Sequence, residues 1–449
     1  MASRDYLFYE LTNSICRHCL NKVEAKIIIQ QGQVYLLKNC LTHGQEQVLI
    51  STDVNYYEKC RQFLKPGDLP KQFNTEIKKG CPFDCGLCPD HEQHSCVSLI
   101  EITERCNLTC PICYANSSPM QGRHKSLAEI ETMLDLIVAN EGQPDVVQLS
   151  GGEPTIHPQL FEILDLAKQR PIRHLMLNTN GIKIAQDREL VKKLATYAPG
   201  FEIYLQFDTL SPQVWRQLRG IDLSEIKQQA LAHLNEFNLS TTLVATVQKG
   251  LNTQEIGPLL EFALSQPAVR GITFQPVQVA GRLGQFNPLQ HRVTLSEIRT
   301  AILEQSALFS SEDLIPVPCH PDAITMGYAL KLEEEVIPLT RLFVPEELLA
   351  TVGNTITFEQ IPELKQKIYN LFNTSASVET ASETLRSIMC CLPKIDVPNL
   401  KYENLFRVII MQFYDAYNFD VRGVKKSCVH IVQTDGRIIP FDTMNLFYR

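Results

Sequence analysis

The chain has 449 residues, room for more than one domain, with 44% hydrophobic and 20% charged residues, an ordinary globular composition. A formal net charge of −8 gives no support to a nucleic-acid partner, which needs a basic surface. No apolar run reaches the length of a membrane span, and the N-terminus lacks a basic region followed by an apolar one, so neither a span nor a secretory signal is expected and a cytoplasmic location is.

Thiols stay reduced in that compartment. The fifteen cysteines, eleven of them before residue 114, therefore read as metal ligands rather than disulfides. Residues 1–60 hold two cysteine knuckles around strand-like pieces at 25–29 and 33–37. Cys16 and Cys19 with Cys40 and His43 can make a tetrahedral site for one zinc or iron, with Cys60 an alternative to His43. Residues 61–97, rich in Pro, Gly and Cys, read as loops shaped by metal. There Cys81, Cys85 and Cys88 are spaced C-x3-C-x2-C, and Cys96 can supply a fourth thiolate for a closed cluster. His91 and His94 read as loop residues.

From residue 98 the pattern predicts strands at 97–102, 146–149, 174–177, 201–206, 241–246 and 271–275. Between them it predicts helices at 126–141, 159–169, 187–197, 224–237 and 253–265. Ser126 with Glu129, and Thr294 with Glu297, read as capping boxes. Six strand–helix units imply an α/β fold with right-handed crossovers and a parallel sheet, doubly wound or a partial barrel. Residues 296–390 look mostly helical and 428–440 looks like a hairpin around Thr-Asp-Gly. The domain plan is therefore a knuckle domain at 1–60, a cluster loop at 61–97, a core at 98–295 and a helical extension at 296–449. Cys319, Cys390, Cys391 and Cys428 either converge on a further cluster or are ordinary buried thiols. The apolar residues of 337–372 either line a groove for a lipid-like chain or form an ordinary helical cap.

Directly after the first core strand, the sequence ITERCNLTCPICY places Cys106, Cys110 and Cys113 at C-x3-C-x2-C. Three thiolates can hold three irons of a [4Fe–4S] cube and leave the fourth open to a small molecule's amine and carboxylate. A zinc knuckle is the alternative, but zinc knuckles use C-x2-C pairs. The second strand ends in Ser150-Gly151-Gly152-Glu153-Pro154, at the strand end where α/β folds gather ligands.

C-x3-C-x2-C with Tyr114 after the last cysteine, followed by GGEP, resembles the radical S-adenosylmethionine (SAM) superfamily over residues 97–280. The resemblance implies a partial (β/α)6 barrel in which Cys106, Cys110 and Cys113 hold the catalytic cluster. It implies that backbone groups of Gly151, Gly152 and Glu153, beside Ser150, hold the SAM amine. Asn178, Asn180, Gln206 and Asp208, at later strand ends, would contact ribose and methionine; capping of strands and turns is their structural alternative.

CLTHG, GCPFDCGLC, LSGGEPT and CVHIVQTDGRIIPF together look like the branch holding the tetraether lipid synthases and class D methylase-like proteins. That likeness implies at least two [4Fe–4S] clusters, a third if the C-terminal cysteines converge, and a mononuclear iron or zinc. It also implies SAM cleavage to a 5′-deoxyadenosyl radical, with methylation or carbon–carbon coupling on a lipid-like or other small molecule, and a ferredoxin or flavodoxin as electron donor. Asp442 stands where many relatives are expected to carry cysteine. Rival readings are a pterin, peptide or RNA substrate, or a non-catalytic metal-binding scaffold.

Overall fold

Alternation of apolar and polar residues makes strands of the first fifty residues. The computed structural model describes residues 4–63, 67–332, 335–341 and 404–449. In it, β1 (Leu7–Ile15), β2 (Lys22–Gln30), β3 (Gln33–Cys40) and β4 (Gly44–Ser51) form an antiparallel sheet in chain order. The outer two strands escape a sequence reading because much of each faces solvent, Leu7, Leu11 and Asn13 on β1 and Gln45 and Gln47 on β4 included, and their alternation is weak. Helix α1 (Val54–Gln62) follows, its N-terminus capped by Asp53, which accepts from Tyr56 N at 2.9 Å.

Six parallel strands then lie side by side in chain order: β5 (Val97–Thr103), β6 (Val146–Gly151), β7 (His174–Thr179), β8 (Phe201–Gln206), β9 (Thr241–Val247) and β10 (Val269–Pro276). Their near-continuous burial is what a parallel sheet covered on both faces demands. On one face Ile100, Val147, Leu149, Leu177 and Ile203 pack with α2 (Leu127–Glu141), α3 (Leu160–Lys168), α4 (Ile182–Gln186), α5 (Arg188–Ala195), α6 (Pro212–Arg219), α7 (Ser224–Glu236) and α8 (Ile256–Ser265). Both expected capping boxes are present, the first on α2. The short helix α9 (Pro288–His291) precedes α10 (Leu295–Gln305), which carries the second.

The stretch after α10 departs from the helical expectation. Its described residues form β11 (Ile315–Pro316), β12 (Ile324–Lys331) and β13 (Val336–Pro338). Seven of the eight residues of β12 are buried, and a short run without alternation does not tell strand from helix. The sheet also continues past the expected core boundary at 295: β14 (Leu405–Met411) pairs parallel with β10 and antiparallel with β12. Helix α11 (Val421–Lys425) leads to β15 (Val429–Val432), which pairs parallel with β5 and forms the expected hairpin with β16 (Ile438–Pro440). Eight parallel strands thus run from β14 to β15. One cavity touches Val97, Val146, His174, Tyr204, Thr242, Thr273, Arg407 and Val429, one residue from each of them, so the sheet curls into a partial barrel.

The N-terminal sheet is fastened to the chain's other end. Buried Lys38 donates to Ala416 O (2.9 Å) and Tyr417 O (3.0 Å) and pairs with Glu46 (2.9 Å), while Thr12 Oγ1 donates to Asp420 (2.6 Å). Burial lowers the affinity of the Lys38 ammonium for its proton.

Candidate active site

The loop after β5 carries Cys106, Cys110 and Cys113, and all three line the mouth of the barrel cavity. Its backbone is clamped from two sides. Cys113 and Arg282 exchange backbone hydrogen bonds (2.8 and 2.9 Å), and the Arg282 guanidinium donates to Cys110 O and Ser117 O. Gly152 N donates to Thr103 O (2.8 Å) and Glu153 N to Arg105 O (2.9 Å), tying the end of β6 to the same loop. A Cβ on Gly151, at φ +124°, would stand 2.1 Å from Thr103 O, and one on Gly152 would stand 2.0 Å from Arg105 O. Both glycines are thus required by close backbone approach. Since those amides are used, what this turn can offer a ligand is carbonyl oxygen, the partner an ammonium needs.

Burial pushes the Cys106 thiol up to about 12, with Glu153 and the other two cysteines adding to it, and burial raises Cys110 as well. Three soft sulfur donors on one short loop, Cys106 buried and Cys110 and Cys113 half-buried, are stabilised as thiolates by a metal, so the residues present fit an iron–sulfur group.

The other sequence-derived positions divide. Asn178 and Gln206 line the cavity; Asn178 donates to Ser150 Oγ (3.2 Å), which lies 3.5 Å from the Tyr114 hydroxyl. Tyr114 also lines the cavity, its ring 5.0 Å from Phe441. Asn180 reaches across to Asn107 (2.6 Å) and caps Ile182 N (3.0 Å). The Glu153 side chain is committed elsewhere: it accepts from Thr155 N, Thr155 Oγ1, Thr179 Oγ1 and Asn180 N, a buried knot joining the ends of β6 and β7. Asp208 is absent from the cavity lining, to which Glu153 belongs. Asp208 takes both arms of Arg219 (2.6 and 2.7 Å) and Thr246 N (2.8 Å), so the structure makes it a positioning group rather than a cofactor contact.

Two residues of this region lie outside the sequence motifs. Arg219, at the end of α6, connects Asp208 to Ile112 O of the cysteine loop. Lys227, on α7, donates to Asn180 O and Gln206 O; burial pushes its ammonium down to about 7 although Asp208 pulls the other way. No motif marks them, because an Arg and a Lys on amphipathic helices read as solvated.

Deeper in the cavity, whose volume is about 230 Å³, the lining mixes amides and apolar groups: Gln148, Gln275, Met176, Met411 and Phe441. Its polar wall ends in His174 and Arg407, both held by buried Glu202 at 3.0 and 2.9 Å. Burial raises the Glu202 carboxyl, but Arg407 and His174 outweigh it and hold it below the usual carboxylate range.

The remaining cysteines sort only in part as the sequence suggests. Cys16, Cys19, Cys40 and His43 bring their ligand atoms within 4.8 Å of one another, with His43 Nδ1 3.5 Å from both Cys16 and Cys40 Sγ. Cys60 lies apart from them in the core beside Tyr56. Cys81, Cys85 and Cys88 share one loop, shaped by Asp84 accepting from Lys78 N and Gly80 N at 2.7 Å, but Cys96 is not its fourth member. Instead Cys96 meets Cys319 and Cys428, because it directly precedes β5 and sits beside the start of β15. Cys390 and Cys391 lie outside the described residues. Asp442 accepts from Tyr414 N and from Ser427 Oγ, both at 2.5 Å. None of the helices among the described residues is long and apolar enough to cross a membrane.

Comparison with known proteins agrees with this geometry. The profile of the radical SAM superfamily matches residues 100–263, and that of the HMPTM N-terminal zinc ribbon domain matches residues 8–52. The 7,8-dihydro-6-hydroxymethylpterin dimethyltransferase of Methanocaldococcus jannaschii is 31% identical over 476 aligned positions, covering 98% of this chain and 94% of that one. A GTP 3',8-cyclase of Syntrophomonas wolfei is 29% identical over 191 residues, 42% of this chain; the match spans 57% of that enzyme's length. Streptococcus suis SuiB bound to S-adenosylmethionine aligns at 18% identity and a TM-score of 0.39, covering 46% of each chain. With the superfamily profile on the barrel and a dimethyltransferase matched from ribbon to C-terminus, the chain belongs to the radical SAM superfamily and is a methylase-like enzyme within it.

Proposed function

We propose that this enzyme methylates a reduced pterin inside the barrel, at the site framed by Cys106, Cys110 and Cys113. The observation that carries the reading is the end-to-end likeness to the pterin dimethyltransferase, zinc ribbon included. It favours the pterin alternative over a lipid-like substrate. The 337–372 segment expected to line a lipid groove lies, beyond residue 341, outside the described residues.

The cavity suits a flat, polar heterocycle. Amides of Gln148 and Gln275, the Tyr204 hydroxyl and the Arg407 guanidinium can meet the alternating donors and acceptors on a pteridine edge. Met176, Met411 and Phe441 can cover its faces. The three thiolates would hold three irons of a [4Fe–4S] cluster, and bound SAM with that cluster supplies the radical that removes hydrogen from an unactivated carbon. The chain's own residues do the rest. Carbonyls of Gly151 and Gly152 would accept from the SAM ammonium, and the side chains of Asn178 and Gln206 would face the rest of the molecule. Arg282 and Arg219 fix the cysteine loop, and the apolar wall keeps water out. Cys81, Cys85 and Cys88 would hold an auxiliary cluster, and Cys16, Cys19, Cys40 and His43 a mononuclear metal. A ferredoxin or flavodoxin would supply electrons.

The test uses anaerobically reconstituted enzyme, SAM, dithionite and 7,8-dihydro-6-hydroxymethylpterin. The pterin should raise 5′-deoxyadenosine formation, and deuterium on the pterin should appear in the 5′-deoxyadenosine. Formation unaffected by pterin, with no deuterium transfer, would remove the substrate assignment.

A further inference from the structure

At the far end of the barrel from the cysteine loop, three thiols converge. Cys96 precedes β5 and Cys428 precedes β15; because Val97 pairs with Val429 in a parallel register, the two sulfurs enter side by side. Cys319 arrives on the turn between β11 and β12, where His320 N donates to Val317 O. Its Sγ lies 3.7 Å from that of Cys428, and the three sulfurs are within 4.8 Å of one another. All three are buried.

Beside this set, and close to Cys96 alone, lies a histidine. His94 Nε2 stands 3.5 Å from Cys96 Sγ, while its Nδ1 lies 3.0 Å from Glu141 Oε2. A carboxylate on one ring nitrogen fixes the tautomer that turns the other nitrogen's lone pair toward a metal. Glu141 is itself oriented by Ser95 N at 3.1 Å, and Gln93 Nε2 donates to Cys96 Sγ at 3.5 Å. Asp145 Oδ2 lies 3.9 Å from the same Nε2, but this carboxylate is turned to Arg173, 2.9 Å from its other oxygen.

Spacing decides between one ion and a cube. Tetrahedral bonds of about 2.3 Å to sulfur and about 2.0 Å to nitrogen place ligand atoms about 3.8 Å (S···S) and about 3.6 Å (S···N) apart. The observed 3.7 Å between Cys319 and Cys428 matches the sulfur spacing. The N-terminal ribbon gives an internal ruler of the same size, with 4.0 Å between Cys19 and Cys40 and 3.5 Å from His43 to Cys16. Thiolates on separate irons of a cube stand farther apart. Among the described residues, the two sets that close within 4.8 Å are the ribbon and this one; Cys106, Cys110 and Cys113 do not form such a set. We propose that Cys96, Cys319 and Cys428 give three thiolates to a second site for a single soft divalent ion, zinc or ferrous iron. It pins β5, β15 and the β11–β12 turn together behind the substrate cavity, and it does not depend on the pterin reading.

Metal and acid-labile sulfide are counted on anaerobic wild-type protein, with X-ray absorption at the edge of the metal found. Wild type should carry two ions in excess of the iron matched by sulfide, both in sulfur-rich shells. Cys319→Ser should lose one of them and no sulfide. One excess ion in wild type, a measurement that needs no variant, overturns the assignment. So does a Cys319→Ser protein that loses four irons with four sulfides, or none.

Discussion

Glu202 offers the sharpest test of what supports the cavity wall. Its carboxylate is fully buried and holds the side chains of Arg407, at 2.9 Å, and His174, at 3.0 Å, each less than a tenth exposed. Replacing it by glutamine keeps the shape but takes a buried counter-charge away from the guanidinium. Breaking a buried pair from one side costs about 3–5 kcal/mol, whereas removing both charges costs far less. A chain of 449 residues unfolds with an entropy of about 0.9 kcal/mol/K if it melts as a unit. Glu202→Gln should therefore lower Tm by about 4 °C. Arg407→Met should do the same, and the double variant should fall less than either. Circular-dichroism melts of the four proteins, handled anaerobically, read this out. A Glu202→Gln shift under about 1 °C, or a double variant that falls by the sum of the singles, would refute the claim that the pair is one coupled, desolvated unit.

Asp442 has the opposite electrostatics: burial raises its carboxyl to about 6, so the folded protein takes up a proton that the unfolded chain, near 3.8, does not. Its ionisation therefore costs stability as pH rises from about 4 to 6, and about 3 kcal/mol is the ceiling at pH 7. Asp442→Asn keeps both hydrogen bonds, so it should melt higher than wild type at pH 7 and converge with it near pH 4; a constant gap would show that the charge is not the cause. Gly152→Ala must push the Cys106 loop, since its Cβ meets Arg105 O at 2.0 Å; 5′-deoxyadenosine formation should drop more than about tenfold while Tm moves little, and retained activity would mean that the turn relaxes freely. Cys16→Ser should release the ribbon's ion, read by metal analysis, and leave SAM cleavage intact, since the ribbon meets the C-terminal segment and not the cysteine loop.

The fold class and the cysteine loop were legible in the sequence because each rests on local rules. Runs such as VSLIEIT and VVQLSG are buried strands in any parallel sheet, Ser126–Glu129 and Thr294–Glu297 cap helices through contacts three residues apart, and C-x3-C-x2-C holds its thiols within one loop. The four ribbon ligands were legible for the same reason, as two knuckles on one small sheet. Partnerships across the chain were not. Cys96 looked like the last member of the Cys81 loop because it is near in sequence, yet the parallel register of β5 with β15 delivers it to Cys428, more than three hundred residues away. Glu202 and Asp208 each gain their partners only when β14 joins the sheet and α6 folds back over the cysteine loop. Sequence spacing fixes what one turn or loop can hold; which buried charge meets which, and which sulfurs share a site, is set by strand order and register, and these exist only in the folded sheet.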